Sequence, residues 1–422
     1  MTSDSDELVR WLGEVAADAD LRIEALRLGD SADWALRDGA IRHRTDRFFR
    51  VVGVRTPEGD QPLLEQREIG TLGFLLRGDA RREVLVHAKV EPGNVGGAQL
   101  APTVQATASN ADRVHGGQPP PFSREFASDA VRERSRVLGS EQGTRFAGKL
   151  NANVIADAVR ALDNGPTHRW LAVDALLELL DHDWLVNTDA RSVLVTADWA
   201  DLVGRAPFTR RRDDWSARLA ASLAAPADTD AVRDALAAAR RAAGVAHPVA
   251  LDLLEGWVLD DEGVSPRGAG AFRVRQVAVH CRGREVERWD QPIVDSAGEG
   301  LVELWVDDRG PHPLFGLTAV AEPGLLDRVE LTATVVRPPG VRRPEPQRGG
   351  ADAVIATVRQ SDEGGRFLHD ASRYTLLRVA EPERAPAGTH WLSLGQLVPL
   401  LRSGRTLTNE ARSALSLLLP WL

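Results

Sequence analysis

Two lysines stand against fifty arginines in this chain of 422 residues, and they are Lys89 and Lys149. A buried amine can surrender its proton near neutral pH, whereas a guanidinium cannot. A position that keeps lysine amid such an arginine bias is therefore a candidate for proton chemistry or close ligand contact. Asparagine is also sparse, at seven, and four of these (Asn94, Asn110, Asn151 and Asn153) fall in the stretch 88–153 that holds both lysines. Short amides offer a donor and an acceptor together, so the set reads as a polar pocket. The alternative, a solvated polar face, would more cheaply use the Arg, Asp and Glu found elsewhere. His87 lies two residues before Lys89, so on one strand they share a face, and Glu91 joins that face if the strand persists.

The chain repeats itself. HRWLAVDALLELLDHDWLVNTDARSVL from His168 resembles HWLSLGQLVPLLRSGRTLTNEARSAL from His390, with a constant offset of 221 from Trp170 and Trp391 onward. SEQGTRF from Ser140 meets SDEGGRF from Ser361 at the same offset. AKVEPGN from Ala88 meets AVAEPGL from Ala319 at 231, and a loop present in the first half alone, DRVHGGQPPPFSREF, accounts for the difference. Runs such as FFRVVGV, GTLGFLL and EVLVHAKV carry the strand signal, and LAVDALLELL has the spacing of an amphipathic helix. The expected fold is α+β: helices over 1–44, one copy over 45–205, a helical connector over 206–265 and a second copy over 266–422.

Duplication supplies an internal control. Glu91-Pro92-Gly93 and Glu322-Pro323-Gly324 are shared and read as a structural turn. Polar residues kept in one copy are better site candidates. Lys89 aligns with Val320, His87 with Thr318, Gln105 with Val336, Lys149 with Asp370, Asn151 with Ser372 and Asn153 with Tyr374, while Thr103 meets Thr334. These place the pocket in the first copy and leave the second decayed or altered.

A formal charge of −9 and a pI of about 5.7 argue against a broad nucleic-acid-binding face. The single Cys281 removes disulfides and thiolate zinc clusters. No P-loop, dinucleotide fingerprint, nucleophile elbow or metal-ligand spacing is present, so no metal site is expected. No stretch approaches the length of a membrane span, and the acidic start lacks a signal-peptide pattern; the chain is expected to be cytoplasmic.

The segments AKVEPGN, QLAPTVQAT, SN..RVHGG, SEQG.RF, the pair Asn151 and Asn153, and VNTDARSVL together resemble the NDP-hexose 2,3-dehydratase family of deoxysugar pathways. The resemblance implies two tandem Nudix-like α/β/α domains in a homodimer, without Nudix hydrolase activity. It implies a TDP-4-keto-6-deoxyglucose substrate and a 3,4-diketo-2,6-dideoxy product, passed to a downstream 3-ketoreductase. The second copy lacks the Pro-Thr-Val-Gln segment.

That chemistry needs no redox cofactor. The C4 ketone acidifies the C3 hydrogen, so a base removes it while the C2 hydroxyl leaves as water, and the resulting enol becomes the 3-ketone. A base, an acid and a donor to the enolate oxygen are required. On this reading Lys89 is enolate-stabilising cation or base, His87 its alternative or partner, and Glu91 the acid. Gln66, Thr103 and Gln105 join the substrate-binding set, Asn110, Arg113 and His115 hold diphosphate, and Lys149, Asn151 and Asn153 complete the shell. Two other readings stay open: a catalytically silent sugar-nucleotide-binding partner, and the same scaffold recruited to dehydrate or cyclise a non-sugar metabolite.

Overall fold

A computed structural model of the chain describes residues 3–79, 81–111, 117–162, 164–268, 270–341 and 349–422. Two seven-stranded mixed sheets dominate it. In the first the order is Val131–Ser140, Leu150–Ala158, Gly70–Arg77, Glu83–Lys89, His168–Ala172, with Gln99–Ala101 and Val104–Ala106 added alongside Glu83–Lys89 and Gly70–Arg77. The second repeats this order as Ala353–Ser361, Ala371–Arg378, Glu299–Asp307, Leu314–Ala321, His390–Leu392, with Val329–Ala333 and Val335–Arg337 as the additions. One parallel pair recurs in each, Leu150–Ala158 with Gly70–Arg77 and Ala371–Arg378 with Glu299–Asp307. The α+β reading and the tandem duplication both hold.

The expected helical segments need correction. Residues Ser3–Ala19 are helical, but strands follow at Arg22–Leu26, Trp34–Arg37 and Ala40–His43. Asp38 and Gly39, both at positive φ (49° and 72°), form the two-residue turn of that last hairpin. An Asp-Gly pair is the strong short-range signal for such a turn. The stretch 206–265 likewise holds helices Asp214–Leu223 and Asp230–Ala242, then strands His247–Val249, Trp257–Asp260 and Gly263–Pro266. The succession of helix, strand, 3-10 turn and hairpin from Ser3 thus recurs from Asp230.

The first strands are exchanged. Arg22–Leu26 pairs antiparallel with Phe272–His280 of the second copy, Arg22 opposite His280. His247–Val249 pairs with Arg50–Thr56 of the first copy, His247 opposite Arg55. Short strands of this kind find no partner in their own copy and are satisfied across the seam.

Between the copies lies a reciprocal joint built from the shared turn. Gly93 N donates to Gly364 O (2.8 Å) and Gly324 N to Gly143 O (2.8 Å), while His369 N reaches Gly93 O (3.1 Å) and Gly148 N reaches Gly324 O (2.7 Å). The rings of Phe146 and Phe367 meet edge-on at 5.7 Å. Arg145 lies over Phe272 at 3.9 Å and Arg366 over Phe49 at 4.2 Å. Helices Thr188–Thr196 and Asn409–Leu415 also touch across the seam, Thr188 Oγ1 lying 2.9 Å from Ser413 Oγ. Val193, Leu194, Leu415 and Leu418 belong to one apolar cluster that spans both copies.

The turn glycines are sterically required. A Cβ on Gly324 would lie 1.6 Å from Phe146 O, so Gly324→Ala must push backbone apart. It is expected to cost about 1–3 kcal/mol or more, read from the denaturant midpoint. Gly350→Ala, whose Cβ meets nothing within 4 Å, is expected to stay within about 0.5 kcal/mol of the parent.

Candidate active site

Alternation along Glu83–Lys89 sends Val84, Val86 and Ala88 into the large core and turns Leu85, His87 and Lys89 to the opposite face. The strand stops at Lys89. The Glu-Pro-Gly turn then folds Glu91 back, and Lys89 Nζ and Glu91 Oε1 form a buried ion pair at 2.8 Å. Asn94 closes the turn by donating from Nδ2 to Lys89 O (3.0 Å). Glu91 therefore meets Lys89 by turn closure, not by continuation of the strand.

Lys89 and Glu91 line a cavity of about 260 Å³. Lys149 and Asn151, at the start of Leu150–Ala158, form another wall. The Lys149 amine donates to Glu68 O (2.9 Å), and burial holds its pKa below the usual lysine value against the pull of Glu363, Glu141 and Glu68. Asn151 Nδ2 donates to Glu141 Oε1 (2.6 Å). A Cβ on Gly70 would stand 2.2 Å from Asn151 Oδ1, so glycine there leaves room for the amide. Burial, then the Glu363 carboxylate, pushes Glu141 up to about 7.

Gln66, Gln105 and Asn110 also line the cavity. Gln66 Nε2 donates to Glu68 Oε1 (2.8 Å), and Glu68 accepts from Ser109 N (2.6 Å) next to Asn110. Gln105 Oε1 accepts from Asn187 Nδ2 (3.4 Å), and Asn187 Oδ1 caps the helix Thr188–Thr196 through Ala190 N (2.8 Å). That cap presents Asp189 to the cavity from the helix's first turn. A helix N-terminus favours a carboxylate, but burial, then Glu363 and Glu141, outweigh it and push the Asp189 carboxyl well above the usual range.

The second copy supplies the rest. Glu363, Gly365 and Arg366 come from its SDEGGRF loop, pinned to Gly93 by the seam. Arg284, Glu285 and Val286 come from the loop between Phe272–His280 and Arg288–Ser296, and Arg284 Nη1 donates to Val90 O (3.0 Å). The equivalent hairpin of the first copy turns through Pro57 and Glu58 alone. Trp34, His43, Phe48 and Trp289 form an aromatic rim. A pocket confined to the first copy is thus corrected to one walled by both.

Three expected residues fall elsewhere. His87 is stacked on His168 of the neighbouring strand (4.2 Å, 9°), and burial holds its pKa well below the ordinary imidazole value. Thr103 is buried between strands, its hydroxyl donating to Leu85 O and accepting from Leu75 N (3.0 Å), and Thr334 repeats this with Gly316 O and Trp305 N. Asn153 Nδ2 points to Val137 O (3.3 Å). None of the three lines the cavity. Arg113 and His115 lie outside the described residues.

The family model for NDP-hexose 2,3-dehydratase matches residues 5–196 and 229–418, one match to each copy. The chain belongs to the NDP-hexose 2,3-dehydratase family. Within it, the chain is similar to three proteins named dTDP-4-dehydro-6-deoxy-alpha-D-glucopyranose 2,3-dehydratase. That of Streptomyces violaceoruber is 32% identical over 96% of this chain and 95% of the relative. That of Saccharopolyspora spinosa is 33% identical over 88% and 82%. That of Amycolatopsis orientalis is 31% identical over 98% and 89%.

In this family member the counterpart of the cavity in the second copy has shrunk to about 20 Å³. Asp370, Ser372 and Glu410 stand where Lys149, Asn151 and Asp189 stand in the first copy, Thr144 replaces Gly365, and Arg337, Pro338 and Pro339 close the space. Comparing copies for polar residues kept in one alone passes over Asp189, because Glu410 is also acidic. The contrast of Glu363 with Gln142 was available in the sequence. So was the longer hairpin loop, once the strands flanking it were paired.

Burial also holds His168 down to about 4, below its ordinary 6.5. With the folded value depressed, stability present above pH 6.5 is lost as pH falls toward 4. Urea unfolding at pH 7 and pH 4.5 is expected to show the parent losing up to about 3 kcal/mol relative to His168→Gln across that window.

Proposed function

We propose that the chain is a dTDP-4-keto-6-deoxyglucose 2,3-dehydratase, a hydro-lyase that removes the 2-hydroxyl as water. The observation that carries this reading is the convergence, in one cavity, of the buried Lys89–Glu91 ion pair with Asp189, whose carboxyl burial pushes well above the usual range. In a glucose-configured ring the C3 hydrogen and the C2 hydroxyl are cis, so base and acid must approach from the same face. Glu91, its charge held by Lys89, takes the C3 proton. The electron pair moves onto the C4 oxygen as an enolate beside the Lys89 ammonium. As the C4 ketone reforms, the C2–O bond breaks and Asp189 protonates the departing hydroxyl. The C2–C3 enol then gains a proton at C2 and loses one from its hydroxyl to give the 3-ketone. Carboxyl groups held in different environments are how one site runs both roles.

Gln66, Gln105, Asn110, Lys149 and Asn151 orient the sugar and its diphosphate, and the nucleotide extends toward the aromatic rim. Each copy we read as a Nudix-like α/β/α unit, supported by its mixed sheet with helices such as Thr188–Thr196 packed against it. A homodimer is expected from the resemblance alone. Adjacent ketones make the product reactive, which suits a 3-ketoreductase as the next step. A cytoplasmic setting fits such soluble substrates; among the described residues no helix is long and apolar enough to cross a membrane.

To test the reading, folded parent and Lys89→Met are incubated with dTDP-4-keto-6-deoxyglucose and substrate loss is followed. The variant is expected to lose about 100-fold or more in turnover. Undiminished turnover removes Lys89 from the mechanism, and an inactive parent that still binds TDP-sugar favours a silent binding protein.

A further inference from the structure

Resting on that dehydratase reading, we propose that Asn409 of the second copy is a positioning residue for the sugar. Through Glu141 it turns the Asn151 amide so that the amide oxygen, rather than the nitrogen, is offered to a sugar hydroxyl.

The contacts run in one line. Asn409 Nδ2 donates to Glu141 Oε2 (3.2 Å), and Glu141 Oε1 accepts from Asn151 Nδ2 (2.6 Å). Glu141 and Asn409 are buried behind the cavity wall, whereas Asn151 lines the cavity. Glu141 is fixed in place by backbone as well. Its own N–H donates to Lys149 O (3.1 Å), and Arg412, on the helix that carries Asn409, donates from Nη2 to the preceding carbonyl, Ser140 O (2.6 Å).

A carboxylate can only accept, so Asn151 gives Glu141 its nitrogen and turns its oxygen the other way. That oxygen lies beside Gly70, another lining residue, where a Cβ would stand 2.2 Å from it and 3.5 Å from Lys149 Nζ. Among the described residues nothing donates to it. An acceptor so placed suits a hydroxyl, which can donate, and repels phosphate oxygens, which only accept. Asn151 therefore reads the sugar, not the diphosphate.

The closed copy carries other residues at all three positions. Asp362, Ser372 and Thr188 stand where Glu141, Asn151 and Asn409 stand, at the constant offset of 221, and Thr188 Oγ1 lies against Ser413 Oγ (2.9 Å). Asn409 is the one asparagine of the second copy, and it serves the cavity of the first.

Asn409→Thr recreates what the fold already carries at Thr188 and removes the amide donor. Binding of dTDP and of dTDP-glucose, which keeps the C2 and C3 hydroxyls but lacks the 4-ketone, is measured by calorimetry at about pH 8.5, where Glu141, pushed up to about 7, is ionised. In folded Asn409→Thr the ratio of the dTDP-glucose Kd to the dTDP Kd is expected to rise about 5- to 10-fold, with dTDP bound as in the parent. In an Asn151→Ala background the same substitution is expected to leave that ratio unchanged, an outcome a merely structural defect would not give. An unchanged ratio in Asn409→Thr overturns the proposal, as does an equal further rise in the Asn151→Ala background. Should Asn409→Thr fail to fold, Asn409→Leu, of similar size, gives the same reading. A parent that binds neither ligand overturns the proposal together with the dehydratase reading. A parent that shows the expected ratios but does not turn over dTDP-4-keto-6-deoxyglucose refutes the dehydratase reading and leaves the positioning role intact.

Discussion

Everything at the site depends on how a Glu-Pro-Gly turn of one copy seats against the backbone of the other. At Gly93 a Cβ would come within 1.4 Å of Phe367 O, an approach available to glycine alone. The contact brings Glu91, two residues upstream, under the SDEGGRF loop, and so sets the spacing of the Lys89–Glu91 ion pair and Glu363. Its counterpart at Gly324 does the same for the closed half. Symmetry of the joint and asymmetry of the pockets therefore coexist: the joint is backbone, and the pockets differ in side chains.

The second pocket shows how a duplicated site becomes core. Tyr374, buried to 2% exposure, occupies the position of Asn153, and the Arg337-Pro338-Pro339 segment shuts the space above it. The carboxyls left behind are poorly solvated. Asp370 is pushed to about 6 by burial, against hydrogen bonds from Ser296 Oγ (2.8 Å) and Ser296 N (3.1 Å) and the more distant charge of Arg145. Burying charges this way is tolerable only because groups shift toward their neutral forms or find an opposite charge. In the first copy the same burial pushes the Asp189 carboxyl well above the usual range.

The sequence discloses what is local and what differs between copies. Glu83–Lys89 and Gly70–Arg77 follow from β-branched runs, and the lysine and asparagine bias marks Lys89, Lys149, Asn110 and Asn151, all of which line the cavity. His87 was misplaced for a definite reason. Strand alternation puts it on the face of Lys89, but the cross-strand neighbour His168 captures its ring, and pairing partners are not written in the strand itself. Thr103 was equally opaque, because a hydroxyl that bridges two strands looks like a ligand donor until its partners are known. Glu363 and Arg284 lie roughly 200 residues away from the pocket residues they join, and only docking of the copies brings them there. The strand Arg22–Leu26 was unreadable as a strand because its partner belongs to the other copy.

The exchanged strands also have a meaning in time. The strand Arg50–Thr56 of the first copy gains its partner His247–Val249 only after more than half the chain has been made, and Arg22–Leu26 must wait for Phe272–His280. A chain emerging from the ribosome thus cannot finish its first copy before beginning its second, and the usual domain-by-domain order of folding is closed to it. Contacts of such long sequence separation slow folding, and the unpaired edges they leave open in the interval are those that aggregate. Duplication here has produced two copies of a fold but one folding unit.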